Sequence, residues 1–118
     1  DTQGIPLNNH LRLETSNGIA RLLIDRPDKR NAMDQAMWEA VPPLVDTAMA
    51  DPKVRVLLVG SAHPGPFCAG ADISEFAARS SDPVWRKRNQ AAIRGTQIAL
   101  ARAVSTWFSE KNRWVSVP

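Results

Sequence analysis

Residues 54–73 read VRVLLVGSAHPGPFCAGADI, and this stretch decides how the chain folds. Residues 54–59 are almost entirely apolar and rich in β-branched side chains, which predicts a strand buried on both faces of a sheet. From Gly60 a loop rich in glycine and proline follows. Asp72, with Glu75 three residues later, resembles a capping box, the side-chain pair that begins a helix. The stretch therefore predicts a strand, a loop and a short helix in succession.

Two strand-like runs lie near the N-terminus. Residues 10–15 alternate between polar and apolar side chains, and residues 19–24 are mostly apolar. Between the two runs stand Asn17 and Gly18, residue types that tolerate the positive φ of a tight turn. The pattern therefore predicts a β-hairpin.

A helix is predicted between the hairpin and the apolar strand. Asp34 can cap it, and it is expected to run to about residue 50. Pro42 and Pro43 lie inside it and are expected to kink or split it, since an interior proline costs roughly 3 kcal/mol. The apolar residues that share one face at helical spacing are Met37, Val41, Leu44, Val45 and Ala48.

The C-terminal third begins with a helix signal and ends without one. Asp82 followed by Pro83 predicts a helix start. The expected buried face of that helix consists of Trp85, Ile93, Thr96, Gln97, Leu100 and Val104. The predicted organisation is a flexible N-terminus over residues 1–9, one domain over residues 10–103, and a tail over residues 104–118 to which no element is assigned.

Composition narrows the classes of function. The 118 residues leave room for one domain, and a net charge of +3 with scattered cations argues against a nucleic-acid partner. The single cysteine, Cys68, excludes an internal disulfide, and no Cys/His cluster predicts a metal site. No apolar run approaches the ~20 residues of a membrane span, and no signal peptide is recognisable. A cytoplasmic protein without membrane contact is expected.

The loop over residues 64–73 is the best candidate for chemistry. Backbone N–H groups where a loop enters a helix are left unpaired and can receive an anion or a developing oxyanion. The small residues around Gly70 would let a ligand approach the main chain. An ordinary turn remains an alternative. Asp72 is expected to cap a helix rather than act as an acid or base, and Cys68 to pack rather than attack a substrate.

Three segments in order carry a resemblance to a known family. Residues 25–33 read DRPDKRNAM, residues 54–60 read VRVLLVG and residues 67–73 read FCAGADI. Together with the intervening helix, they resemble the enoyl-CoA hydratase/isomerase (crotonase) family over about residues 11–102. The resemblance implies an α/β fold of the ClpP/crotonase type, a spiral of β-β-α turns that is incomplete here. Members of this family usually form trimers or hexamers.

The resemblance also implies a chemistry. Family members stabilise the enolate of an acyl-CoA thioester with two backbone N–H groups, and one such donor is worth about 2.7–4 kcal/mol in enzymes where it was removed. Ala69 matches the first donor and is the implied catalytic residue. The implied substrate-binding residues are Arg30, Ala32, Ala69, Gly70, Ala71, Asp72 and Ile73. Lys29 and Arg30 suit the phosphates of coenzyme A, or are ordinary solvated charges. No cofactor or metal is implied, because the coenzyme A thioester is the substrate.

Residues 104–118 depart from the family pattern. They match neither the glycine turn that gives the second oxyanion donor, nor the acidic catalytic residues, nor the C-terminal trimerising helices. We therefore expect a truncated, inactive relative of an enzyme that most simply hydrates 2-enoyl-CoA. Isomerases and other members share the first half, so the reaction stays open. The alternative is a non-catalytic crotonase-like protein that binds coenzyme A or a protein partner.

Overall fold

The computed structural model describes residues 8–65, 67–106 and 114–116, with side chains described over 8–65 and 67–104. The strands are β1 (Leu11–Ser16), β2 (Ile19–Ile24), β3 (Val56–Ser61) and β4 (Trp114–Ser116). The helices are α1 (Gln35–Ala50), α2 (Ile73–Arg79) and α3 (Pro83–Thr106), with a 3₁₀ turn at Pro27–Lys29. Among the helices of the described residues, none is long and apolar enough to cross a membrane. Of the flexible N-terminus predicted over residues 1–9, residues 1–7 lie outside the described residues, whereas Asn8 pairs with Leu11 in an isolated antiparallel bridge.

The N-terminal hairpin is confirmed. β1 and β2 pair antiparallel, with Leu11 opposite Ile24 and Ser16 opposite Ile19. Asn17 and Gly18 have φ values of 52° and 79°, the positive pair that a two-residue hairpin turn requires.

The sheet has the order β1-β2-β3-β4, and β3 runs parallel to β2 through the crossover helix α1. β3 begins two residues later than predicted, because the N–H groups of Arg55 and Val56 both donate to the carbonyl of Gly18, at 2.7 and 3.2 Å. Leu57 is buried, whereas Leu58 on the opposite face is only half-buried. The prediction of burial on both faces is therefore only half right.

Helix α1 runs unbroken through Pro42 and Pro43, so the predicted split is wrong. Pro42 has no N–H to donate to the carbonyl of Trp38, one helical turn earlier. The hydroxyl of Thr96 in α3 donates to that carbonyl instead, at 2.8 Å. A neighbouring helix thus supplies the hydrogen bond that proline removes.

Helix α3 packs on α1 with a face rotated from the prediction. Trp85, Ala92, Thr96 and Ala103 are buried, whereas the predicted Gln97 and Val104 are exposed. Ala92 and Ala103, which the predicted face did not include, belong to the buried face. The resulting core lies between the sheet and α1, and its largest fully buried members are Leu11, Leu22, Met37, Leu44, Leu57, Val45 and Val54.

The C-terminal tail contains more structure than the sequence predicted. Helix α3 continues to Thr106, and β4 pairs parallel to β3, with Val56 opposite Trp114. The assignment of no element after residue 103 is therefore wrong for these residues, because a three-residue strand is too short to show a period. The sequence also predicts that Trp107 and Phe108 are exposed, because the tail offers no sheet to cover them, and both lie outside the described residues.

Candidate functional site

Two loops meet at the carboxyl ends of β2 and β3. The first loop, residues 25–34, leads from β2 to α1, and the second loop, described over residues 62–65 and 67–72, leads from β3 to α2. Parallel neighbouring strands deliver their following loops to the same edge of a sheet, so the two loops lie side by side. Both loops contain the segments that the sequence singles out.

Three backbone hydrogen bonds join the loops. The N–H of Ala69 donates to the carbonyl of Arg30 at 3.1 Å. The N–H of Met33 donates to the carbonyl of Gly70 at 2.8 Å, and the N–H of Asp72 donates to the carbonyl of Met33 at 2.9 Å. The loops therefore pair over a short distance as two parallel strands do.

This pairing decides which N–H groups are available to a ligand. The Ala69 N–H is engaged with the carbonyl of Arg30, so the expectation that it is a free donor is not met in this conformation. Ala71 lies opposite Met33 in an isolated parallel bridge, whose hydrogen bonds come from the residues on either side of Ala71. Its own N–H therefore faces away from the first loop, and within the described part of the chain it has no partner. Ala71 is exposed.

The buried amide of Asn31 connects both loops to the sheet. Only 2% of Asn31 is exposed. Its oxygen accepts from the N–H of Arg26 at 2.8 Å, and its nitrogen donates to the hydroxyl of Ser61 at 2.8 Å and to the carbonyl of Phe67 at 3.0 Å. One side chain thus connects the first loop to the end of β3 and to the second loop at Phe67.

The guanidinium of Arg26 makes a second connection. It donates to the carbonyl of Ala32 and to the carboxylate of Asp72, both at 2.9 Å, and lies 3.9 Å from the carboxylate of Asp34. The hydroxyl of Ser74, the N–H of Glu75 and the Arg26 guanidinium lower the pKa of Asp72 from 3.8 to about 2, against an opposing effect of burial.

Asp72 has the structural role expected from the sequence. Its carboxylate accepts from the N–H of Glu75 at 3.1 Å and so caps α2. The capping box is nevertheless incomplete, because the carboxylate of Glu75 accepts from the N–H of Gln35 in α1, at 2.8 Å, instead of reaching back to Asp72.

An apolar pocket of about 130 Å³ opens beside Ala71. It is lined by Met33, Trp38, Ala71, Asp72, Ile73, Phe76, Trp85 and Asn89. Phe76 and Trp85 meet edge to face with ring centroids 6.0 Å apart. Ile73 is 81% exposed and Phe76 50% exposed, so apolar surface reaches solvent at the rim of the pocket. Such a pocket can take a small apolar group whose polar end lies at Ala71.

The other predicted substrate-binding residues, Arg30 and Ala32, lie in the first loop. Arg30 is exposed and Ala32 is half-buried, and neither Lys29 nor Arg30 forms an ion pair with a described residue. These cations are therefore available to an anionic ligand. Cys68 is partly buried against the core, as expected of a packing residue, and its sulfur accepts from the N–H of Gly70 at 3.3 Å.

Sequence reasoning missed Arg26 and Asn31, although both stand in the DRPDKRNAM segment. The signal available in the sequence was a cation and an amide on either side of a turn that contains proline. Among the residues with described side chains, no group of three or more His, Cys, Asp or Glu could hold a metal ion.

A sequence model of the enoyl-CoA hydratase/isomerase family matches residues 19–106. The human mitochondrial methylglutaconyl-CoA hydratase is 38% identical over 71 residues, which is 60% of this chain and 21% of that protein. The mouse mitochondrial enoyl-CoA hydratase domain-containing protein 2 is 41% identical over 58 residues, covering 49% of this chain and 20% of that protein. The chain thus spans about a fifth of the length of these curated relatives.

Solved structures show the same likeness over more of the chain. A structure from Hyphomonas neptunium, described as an enoyl-CoA hydratase/isomerase family protein, superposes with a TM-score of 0.75 at 30% identity, covering 92% of this chain and 38% of that one. An enoyl-CoA hydratase/carnithine racemase from Magnetospirillum magneticum superposes with a TM-score of 0.78 at 23% identity, covering 93% and 38%. At that identity the second likeness concerns the fold alone.

Proposed function

The chain belongs to the enoyl-CoA hydratase/isomerase family and has its α/β, crotonase-like fold, and from this membership we propose that its second loop binds an acyl-CoA thioester and donates the Ala71 N–H to the thioester oxygen. The observation that carries the proposal is the N–H of Ala71, which has no partner among the described residues, in an exposed residue that lines an apolar pocket. The thioester oxygen would accept this hydrogen bond while the acyl group enters the pocket.

The chemistry of this arrangement is stabilisation of an enolate. When a proton leaves the carbon next to the thioester, or a nucleophile adds to a conjugated double bond, negative charge develops on the thioester oxygen. A donor fixed in advance at that oxygen lowers the barrier more than it strengthens substrate binding. We propose hydration of 2-enoyl-CoA as the reaction of an enzyme built on this site, with Lys29 and Arg30 facing the phosphates of coenzyme A.

Backbone N–H groups can be tested by replacing one amide with an ester. Cys68 is the only cysteine, so residues 68–118 can be synthesised and ligated to residues 1–67 at that position. Lactic acid in place of Ala71 removes the N–H and keeps the methyl group. The same exchange at Ala69 tests the donor expected from the sequence, and at exposed Ala101 in α3 it gives a matched control.

The readout is the carbonyl resonance of crotonyl-CoA labelled with ¹³C at the thioester carbon. Binding to the unmodified chain should shift this resonance downfield, because a hydrogen bond polarises the carbonyl. The ester at Ala71 should abolish the shift and weaken binding about fivefold, the loss of about 1 kcal/mol for one hydrogen bond. A shift that survives at Ala71 and disappears at Ala69 would overturn the donor assignment.

Binding without any carbonyl shift in the unmodified chain would favour the alternative, a crotonase-like protein that only binds coenzyme A. The absence of turnover in these 118 residues, the cytoplasmic location and the trimeric or hexameric assembly stay predictions. The two curated relatives described above carry "mitochondrial" in their names.

A further inference from the structure

The direction of the Ala71 N–H is set by its neighbours. Gly70 and Asp72 bond to Met33 on one side, and this bonding turns the N–H of Ala71 to the other side. If the second loop separated from the first, these hydrogen bonds would break and the direction of the Ala71 N–H would no longer be fixed. The ability of Ala71 to donate to a ligand therefore depends on the contacts that keep the first loop in place.

The first loop has a conformation that needs support. Arg30 and Asn31 have φ values of 53° and 60°, two successive residues in the left-handed region. Side chains other than glycine occupy this region at a cost, and such strain persists only where surrounding contacts impose it. The strained residues also present the Arg30 carbonyl to the N–H of Ala69. A relaxed first loop would lose that hydrogen bond.

Two side chains impose this conformation. The side chain of Asn31 accepts a hydrogen bond from the N–H of Arg26 within the first loop and donates one to the carbonyl of Phe67 in the second loop. Arg26, whose side chain is 13% exposed, spans from the carbonyl of Ala32 to the carboxylate of Asp72. The two side chains thus hold the second loop on both sides of Ala71.

We propose that Arg26 and Asn31 are positioning residues, which clamp the two loops together so that the Ala71 N–H stays directed away from the first loop and free for a ligand. The role of the clamp in binding rests on the proposed function, but its effect on the two loops can be measured without a ligand. The forked guanidinium makes two hydrogen bonds at once, so a lysine at position 26 would only partly replace it. Neither residue need touch the substrate.

Hydrogen exchange followed by NMR tests the clamp. Asn31→Asp keeps the size and the acceptor and removes both N–H donors, and Arg26→Met removes the guanidinium. In each variant the amides of Ala69 and Asp72, which bond across the loops, should exchange about tenfold faster. The amide of Leu57 in β3 reports on the whole fold and should change less than about twofold. Arg26→Lys should restore part of the protection.

Arg88→Met is the control, because Arg88 forms an ion pair with Glu39 between α3 and α1, away from both loops. It should leave the exchange of Ala69 and Asp72 unchanged. Equal acceleration at Leu57 and at the loop amides would mean that the residues merely stabilise the fold, and unchanged loop amides would mean that they do not clamp. Either result overturns the proposal.

Two further arms keep the test decisive. If Asn31→Asp does not fold, Ser61→Ala removes one acceptor of the Asn31 amide, together with the two hydrogen bonds of the Ser61 hydroxyl to the His63 backbone, and should give a smaller acceleration of the same loop amides. With labelled crotonyl-CoA, the folded Asn31→Asp and Arg26→Met chains should lose the carbonyl shift. If the unsubstituted chain does not bind crotonyl-CoA, the proposed function fails, and hydrogen exchange alone decides on the clamp.

Discussion

Replacing Asp72 with asparagine removes one negative charge and keeps the shape of the side chain. Asparagine can still accept from the N–H of Glu75 and cap α2. It would, however, turn an N–H group toward the guanidinium of Arg26, where the carboxylate now accepts at 2.9 Å. We therefore expect the Asp72→Asn chain to be less stable at neutral pH.

The magnitude follows from the lowered pKa of Asp72. A fall from 3.8 to about 2 corresponds to about 2 kcal/mol of folding free energy, and screening by solvent reduces this to about 1–2 kcal/mol. The folded pKa lies below the unfolded one, so the contribution is fully present above about pH 4. It falls to about half near pH 3 and is lost as the pH drops through 2.

Urea unfolding of both chains at pH 7 and at pH 3 measures this contribution. The difference in unfolding free energy should be about 1–2 kcal/mol at pH 7 and roughly half of that at pH 3. Asp46→Asn is the matched control, since Asp46 is exposed on α1 without a described partner, and it should change stability by less than about 0.5 kcal/mol. A difference for Asp72→Asn that does not shrink at pH 3 would refute the electrostatic reasoning.

Two further predictions concern the core and the pocket. Leu44→Ala in α1, at a side chain that is fully buried, should lower the unfolding free energy by about 2–5 kcal/mol, whereas exposed Thr47→Ala should cost less than about 1 kcal/mol in the same urea titration. The pocket beside Ala71 has a volume of about 130 Å³. A group the size of a water molecule occupies about 30 Å³, so the pocket holds about four groups of that size. The affinity for acyl-CoA, measured by calorimetry, should therefore rise with acyl length to about four carbons and then level off, and Trp85→Ala should extend the rise to longer chains. An affinity that keeps rising to long chains in the unsubstituted protein would contradict this prediction.

Local signals in the sequence predicted the elements but not their contacts. Asn17 and Gly18 predicted the hairpin, and Asp34 predicted the start of α1, because turn and cap chemistry act over a few residues. The first residue of β3 could not be predicted, since it depends on the Gly18 carbonyl about 37 residues earlier in the chain.

The sequence predicted which segments form the candidate site, but not which backbone N–H group is the donor. The sequence identified the two loops that meet, yet it implied Ala69 as the donor. Whether Ala69 or Ala71 has a free N–H depends on the register between the loops, which is set through Met33 and Arg30. Asn31 and Arg26 could not be recognised as connecting residues for the same reason: their partners lie up to 46 residues away.

The hydrogen bond from Thr96 to the carbonyl of Trp38 has a consequence for synthesis of the chain. The two residues are 58 positions apart, so Trp38 leaves the ribosome well before its partner. At 5–20 residues per second the interval is about 3–12 seconds. During that time the Trp38 carbonyl of α1 lacks the partner that replaces the Pro42 N–H, and it must be hydrated. Completion of α1 is therefore a late event that awaits the arrival of α3.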